Sequence, residues 1–145
     1  MKNVFRVCVL FLLAGAVFGC KNSSSRMKLT DYQWLLKTMY INGESLVITA
    51  NNPSVVFTDS SRINGYGGCN RFFGNYEENG SKLSIQVLGV TQAMCPDIEI
   101  EDRFLAILRN VTTYEIAEEQ LVLYDGGNQQ LAILAPDKTK NRDRR

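Results

Sequence analysis

The stretch NGYGGCNRFFGNYEENG, residues 64–80, decides how we expect this chain to fold. Glycines at positions 65, 67 and 68 permit a sharp bend, because glycine adopts backbone conformations that a Cβ atom disfavours. A segment rich in aromatic residues follows, and Asn79-Gly80 is a strong turn signal. The order of bend, strand and turn predicts a structural element of a small β-rich domain. It does not resemble a catalytic motif.

The composition and charge of the chain limit the kinds of partner that it can bind. Hydrophobic residues make up 45% and charged residues 21% of the chain, which is typical of one globular domain. The formal net charge is +1, but residues 27–136 hold seven basic and 13 acidic side chains, a net of −6. Nucleic-acid binding requires a basic surface. We therefore expect no nucleic-acid partner for the folded part.

The chain contains no histidine, which removes the usual Ser-His-Asp and Cys-His nucleophiles and most catalytic zinc sites. The glycine bend leads into a strand without a Gly-Lys-Ser/Thr sequence, so phosphate binding is disfavoured. No calcium-loop spacing occurs among the acids. We interpret the acidic clusters as solvated charge; they are Glu77-Glu78, Glu99/Glu101/Asp102 and Glu118-Glu119. The sequence thus predicts no catalytic residue, no metal site and no cofactor, and a protein that is not an enzyme.

Residues 1–19 have the layout of an export signal, with a basic start, an apolar run over 7–18 and a small residue before Cys20. The run is too short to span a bilayer comfortably. The four residues VFGC at 17–20 resemble the lipobox of bacterial lipoproteins, and this resemblance implies cleavage before Cys20 and a lipid, diacylglycerol with palmitate, on its thiol. An ordinary cleaved signal followed by a chance cysteine is the alternative.

Both ends of the mature chain are polar. Residues 20–28 are predicted to be a tether that holds the domain off the membrane. Residue 21 is lysine rather than the aspartate associated with inner-membrane retention. We therefore expect a lipid anchor in the outer membrane, facing the periplasm. Residues 137–145 form a charged tail with five basic and two acidic side chains, for which we expect disorder.

Residues 29–136 are predicted to fold as one α+β domain with about eight strands. Leu83, Ile85 and Val87 alternate with polar residues, as in a strand with one buried face. A helix is expected after Pro96-Asp97, because an apolar stripe recurs at helical spacing and acids crowd its start. We place this helix between the fifth and sixth strands, against a curved antiparallel sheet or partial barrel. The stripe consists of Ile100, Phe104, Ile107, Leu108 and Val111.

The order of these parts resembles the META domain family, also called HslJ-like, over about residues 29–135. The most specific features are Gly68-Cys69-Asn70 and Thr91-Gln92-Ala93-Met94-Cys95, although the second motif usually reads Met-Ala-Cys. The resemblance implies a half-barrel closed by a helix, an exported or envelope setting, and a paired Cys69 and Cys95. Its links to heat response, antibiotic tolerance and secretion are loose, and it implies no enzyme activity.

Two cysteines remain once Cys8 and Cys20 are assigned to export. In an exported chain, Cys69 and Cys95 are expected to form one structural disulfide. Free buried thiols and a redox pair are the alternatives, although the Cys-x-x-Cys spacing of redox proteins is absent.

The sequence favours a non-catalytic envelope lipoprotein that binds a protein partner or an apolar ligand in the concave face of its sheet, in support of envelope integrity or stress tolerance. The alternative is an exported inhibitor of a cell-wall hydrolase or protease, which would act through an exposed rigid loop at 51–54 or 126–129.

Overall fold

The computed structural model describes residues 27–96 and 98–139. The predicted signal peptide, the lipid attachment at Cys20, most of the tether and the tail beyond residue 139 lie outside these residues. Within them, no helix is both long enough and apolar enough to cross a membrane.

The domain consists of nine described strands, one helix and a short 3₁₀ turn at Leu29–Asp31. The elements before the helix are β1 (Gln33–Ile41), β2 (Glu44–Val47), β3 (Ser54–Phe57), β4 (Arg62–Tyr66), β5 (Arg71–Asn79) and β6 (Lys82–Val90). The helix α1 spans Ile98–Asn110, and β7 (Thr113–Ala117), β8 (Gln120–Tyr124) and β9 (Gln130–Pro136) follow it. The prediction of an α+β fold with a curved antiparallel sheet is confirmed. The helix, however, lies between the sixth and seventh strands, one later than predicted.

The sheet curves until its first and last strands meet, so the expected half-barrel closes into a ring. All neighbouring strands are antiparallel, and β1 pairs with β9 along one edge and with β3 and then β2 along the other. A strand of nine residues is long enough to serve three partners in this way. The weakest junction is between β6 and β7, where Lys82 and Thr113 form one bridge pair. The helix α1 occupies the connection between these two strands and packs on β6.

The interior of the ring is filled by apolar side chains from the strands and from α1. Trp34, Phe104 and Leu108 are completely buried, and the ring of Phe104 meets the edge of Phe72 at a centroid distance of 6.2 Å. The Trp34 indole N–H donates a hydrogen bond of 2.8 Å to the carbonyl of Leu29, which fixes the 3₁₀ turn against the core. These side chains pack on the concave face of the sheet and form the core of the domain.

Candidate functional site

The glycine bend, defined here as residues 65–68, is held in a close approach to several neighbours. A Cβ atom on Gly65 would lie 2.2 Å from the Ser54 carbonyl oxygen and 2.4 Å from the Phe72 ring. Gly68 has a φ of +119°, which L side chains rarely adopt. The Gly67 N–H donates to the Asn70 carbonyl at 2.8 Å and closes the bend. The predicted sharp bend is confirmed at Gly68, which has the positive φ, whereas Gly65 and Gly67 are required by close packing rather than by their φ values.

A buried carboxylate from the helix lies directly against this bend. Glu101 is only 2% exposed, and its Oε2 accepts hydrogen bonds from the backbone N–H of Cys69, at 3.1 Å, and of Asn70. Its Oε1 accepts a third bond from the Asn70 amide at 2.8 Å. A Cβ on Gly67 would fall 2.6 Å from the Glu101 side chain. Our interpretation of Glu101 as solvated charge was therefore wrong.

The sequence did carry a signal for this burial. Glu101 precedes the buried Phe104, Leu105 and Leu108 by three, four and seven residues, so it belongs to the inward stripe of α1. A carboxylate on such a stripe needs donors, and a glycine-rich bend offers exposed backbone N–H groups. No feature of the sequence alone says that these two segments meet.

The side chain of Asn70 extends the same network to the segment after β6. Its Oδ1 accepts bonds from the Thr91 hydroxyl at 2.9 Å and from the Ala93 N–H at 2.6 Å. Its amide nitrogen also donates to the Ala93 carbonyl at 3.3 Å. The Asn70 side chain thus binds both Thr91 and Ala93, which belong to the Thr91–Cys95 motif.

Cys69 and Cys95 are joined by a disulfide with an S–S distance of 1.97 Å and a Cα–Cα distance of 5.9 Å. It connects the bend to the loop that precedes α1. No buried side-chain nitrogen or oxygen in residues 27–96 and 98–139 lacks a partner. Since the polar atoms of the bend bind one another, this arrangement acts as a structural joint between β5, the loop after β6 and α1.

A cavity of about 890 Å³ lies at the opposite end of β5, and we call it the end cavity. It is formed by the first described residues, the β3–β4 turn, the β5–β6 turn and strand β7. Its lining combines apolar side chains, two tyrosines and several acids: Met27, Lys28, Leu29, Thr30, Asp59, Ser61, Tyr76, Glu78, Gly80, Ser81, Tyr114, Glu115 and Ile116. Four separate segments supply these residues, so no linear motif could have revealed the cavity.

Two tyrosine hydroxyls in the end cavity are held by neighbouring acceptors. The Tyr76 hydroxyl donates to the Thr58 carbonyl at 2.9 Å, and the Tyr114 hydroxyl donates to the Glu78 carboxylate. Burial raises the pKa of Tyr76, and the nearby charges of Glu78 and Asp59 raise it further. Burial also raises the pKa of Tyr114 well above its ordinary value, reinforced by its hydrogen bond to Glu78. Both phenols therefore stay neutral near pH 7.

The residues that line the end cavity include three carboxylates and one lysine. Asp59, Glu78 and Glu115 are exposed there, and Lys28 is the lysine among the lining residues. No group of three or more potential ligand side chains among the described residues has the arrangement of a metal site. The cavity can therefore attract cationic or hydrogen-bonding groups while Met27 and Ile116 supply apolar contact.

The aromatic residues of β5 divide between the two faces of the sheet. Phe72 and Tyr76 are buried, as expected for core positions, whereas Phe73 is 59% exposed on the outer face. The Phe73 ring covers Gly89, where a Cβ would lie 2.5 Å from the ring. Other large apolar side chains are also exposed, at Leu46, Val47, Leu88, Met94 and Ile98.

The two loops considered for hydrolase inhibition differ in exposure. In 51–54, Asn51 and Asn52 have positive φ values, but Ser54 is only 3% exposed and belongs to β3. Residues 126–129 are exposed, and Asp125 accepts hydrogen bonds from the N–H groups of Gly127 and Gln129. Only the second loop is both exposed and held rigidly.

Comparison with known proteins gives a family profile, described as META domain, that matches residues 27–138. Solved structures of similar fold include two that cover 76% of this chain. One, an NMR structure of a protein from Burkholderia xenovorans, is 23% identical, with a TM-score of 0.62 over 76% of this chain and 84% of that one. The other, a crystal structure of a DUF4847 family protein from Bacteroides vulgatus, is 13% identical, with a TM-score of 0.60 over 76% and 95%. No curated protein matches the chain.

Proposed function

Since the chain belongs to the META domain family, we propose that it is a non-catalytic lipoprotein of the cell envelope whose domain binds a protein partner through the end cavity. One observation carries this proposal: the end cavity is open and has a mixed lining, whereas the concave face of the sheet is filled by core side chains. Binding in support of envelope integrity or stress tolerance is the role that fits this module.

The chemistry of the cavity supports binding over catalysis. A tyrosine that acts as a base or nucleophile needs a lowered pKa, and the pKa of both Tyr76 and Tyr114 is raised. The chain also contains no histidine. The Glu78 carboxylate is already bonded to the Tyr114 hydroxyl, so it orders the cavity wall.

The position of the end cavity fits an anchor at Cys20. Met27 to Thr30 line the cavity, and six residues separate Cys20 from Met27. The seven residue steps from Cys20 to Met27 span at most about 25 Å when extended, so a lipidated chain holds this end of the ring close to the outer membrane. A partner at the membrane surface then reaches the cavity more readily than it reaches the glycine bend at the far end of β5.

Site-specific photocrosslinking in cells tests the binding site. A photoreactive residue at Ser81 or Glu115, on the cavity wall, should yield a discrete adduct with the full lipidated chain. The matched controls are Ser45 and Gln129, which are also exposed but do not line the cavity. Adducts that form only at the control positions, or at none of the four, would refute the cavity as the binding site.

The mass of the intact, membrane-extracted protein tests the anchor separately. Acylation of Cys20 adds the mass of the lipid, and a Cys69–Cys95 disulfide lowers the mass by about 2 Da for two lost hydrogens. An unmodified Cys20 would remove the lipoprotein part of the proposal and leave the binding site to be judged on crosslinking.

A further inference from the structure

The end of the ring that carries the end cavity is also where the chain leaves the sheet after β9. The Asp137 N–H donates to the Gln33 carbonyl at 2.7 Å, which holds the exit beside the start of β1. Gln33 follows Thr30, a cavity residue, by three positions. The next residue, Lys138, forms an ion pair with Glu119 in the β7–β8 turn. The first cation after β9 is therefore already bound to an acid at this end.

The charges of the two parts are complementary. Residues 140–145 contain four basic side chains and one acid, a net of +3. The cavity presents the carboxylates of Asp59, Glu78 and Glu115, all of them exposed. An exposed ion pair is weak on its own. A segment attached to the same domain can form several such pairs at once, because its attachment gives it an effective concentration in the millimolar range at the cavity.

The segment is long enough to reach Glu115 from Lys138. Glu115 precedes Glu119 by four residues, about 13 Å along a strand and turn. Seven residues, 139–145, extend up to roughly 25 Å beyond Lys138. We propose that residues 140–145 dock across the acidic wall of the end cavity, so that the domain's own basic segment is an occupant of this site. The docking needs neither the lipid nor an outside ligand, and it is tested by a different measurement from the proposed function.

Zero-length carbodiimide coupling of the full chain in the presence of phosphatidylcholine vesicles tests this docking, because it joins a lysine amine to a carboxylate in direct contact. Lys140 is the lysine within residues 140–145. It should couple to Asp59, Glu78 or Glu115, and the coupling should fall several-fold in 0.5 M NaCl as screening shortens the range of the charges. The Lys138–Glu119 pair is the internal positive control.

Matched variants separate docking from general attraction. Asp59→Asn with Glu115→Gln should reduce Lys140 coupling at least five-fold. Glu44→Gln with Asp102→Asn removes the same charge from exposed positions outside the cavity and should leave the coupling unchanged. Equal losses in the two double variants would overturn the proposal, as would absence of Lys140 coupling while Lys138–Glu119 coupling persists.

Anionic lipid is the competing occupant of the basic segment. In vesicles that contain phosphatidylglycerol, docking predicts that Lys140 keeps its coupling to the cavity acids. Coupling that appears in phosphatidylcholine vesicles and disappears in anionic ones would assign the segment to the membrane surface and overturn the proposal.

Discussion

Replacing Glu101 by alanine should destabilise the domain more than any other single change of a charged side chain in its described part. The substitution removes three hydrogen bonds, two of them from the backbone N–H groups of Cys69 and Asn70. It also leaves those donors in a site where Glu101 is 2% exposed.

The magnitude follows from these contacts. Hydrogen bonds to a charged group contribute about 1.5–3 kcal/mol each, and partial entry of water offsets part of the loss. We expect Glu101→Ala to lower the free energy of unfolding by about 3–5 kcal/mol, a large share of the 5–15 kcal/mol typical of a domain. Glu101→Gln keeps the shape of the side chain, but its amide NH₂ group can face the N–H donors of the bend. We expect it to lower the free energy of unfolding by about 1–3 kcal/mol.

Urea unfolding of the oxidised protein measures this loss, with the fluorescence of the single, fully buried Trp34 as the signal. Asp102→Asn is the control, because Asp102 is the exposed neighbour of Glu101 on the same helix and should change stability by less than about 0.5 kcal/mol. A Glu101→Ala variant within about 1 kcal/mol of the wild type would refute the account of the bend as a carboxylate-bound joint.

The disulfide gives a second view of the same joint. Replacing Cys69 and Cys95 by serine opens a loop with a sequence separation of 26, which should cost roughly 3–4 kcal/mol in the chain-entropy model. The disulfide and Glu101 hold the same bend. We therefore expect the combined loss to fall short of the sum by about 0.5–3 kcal/mol. Strict additivity in a double-mutant cycle would contradict a shared joint.

Three further predictions concern other parts of the domain. Gly67→Ala should lower the free energy of unfolding by about 1–3 kcal/mol, because the new Cβ would lie 2.6 Å from the buried Glu101 side chain. Gly126→Ala is the control and should lower it far less, because the nearest atom to its Cβ is a methyl carbon at 3.8 Å. Equal urea midpoints for the two variants would contradict this prediction. The turn residues Glu118 and Glu119 have φ values of 50° and 60°, which asparagine and glycine adopt at lower cost than glutamate. Replacing them by Asn and Gly should therefore raise the free energy of unfolding by about 1 kcal/mol, and a lower melting temperature would contradict this prediction. Because folding raises the pKa of Tyr114, the contribution of its hydroxyl to stability is complete below about pH 10 and is lost at higher pH. The free energy of unfolding, measured from pH 9 to 11, should therefore fall more steeply in the wild type than in Tyr114→Phe.

Local patterns were sufficient to predict most of the secondary structure. The alternation of Leu83 and Ile85, both buried, predicted the inward face of β6, and the stripe through Phe104 and Leu108 predicted α1. The turn at Asn42-Gly43 joins β1 and β2 with positive φ at both residues, the conformation that an Asn-Gly pair favours. These predictions succeeded because side-chain periodicity and turn conformation depend on residues close together in the chain.

The stretch at 64–80 by itself determined that a sharp bend leads into a long strand that ends in a turn, since glycine conformation and strand alternation are local properties. Only the tertiary structure decided what meets each end of that strand. At one end Glu101, some 30 residues later, binds the bend, and at the other end three distant segments complete the end cavity. The closure of the ring through β1 and β9 was decided in the same way. Such contacts depend on the curvature and register of the whole sheet, which no short segment specifies.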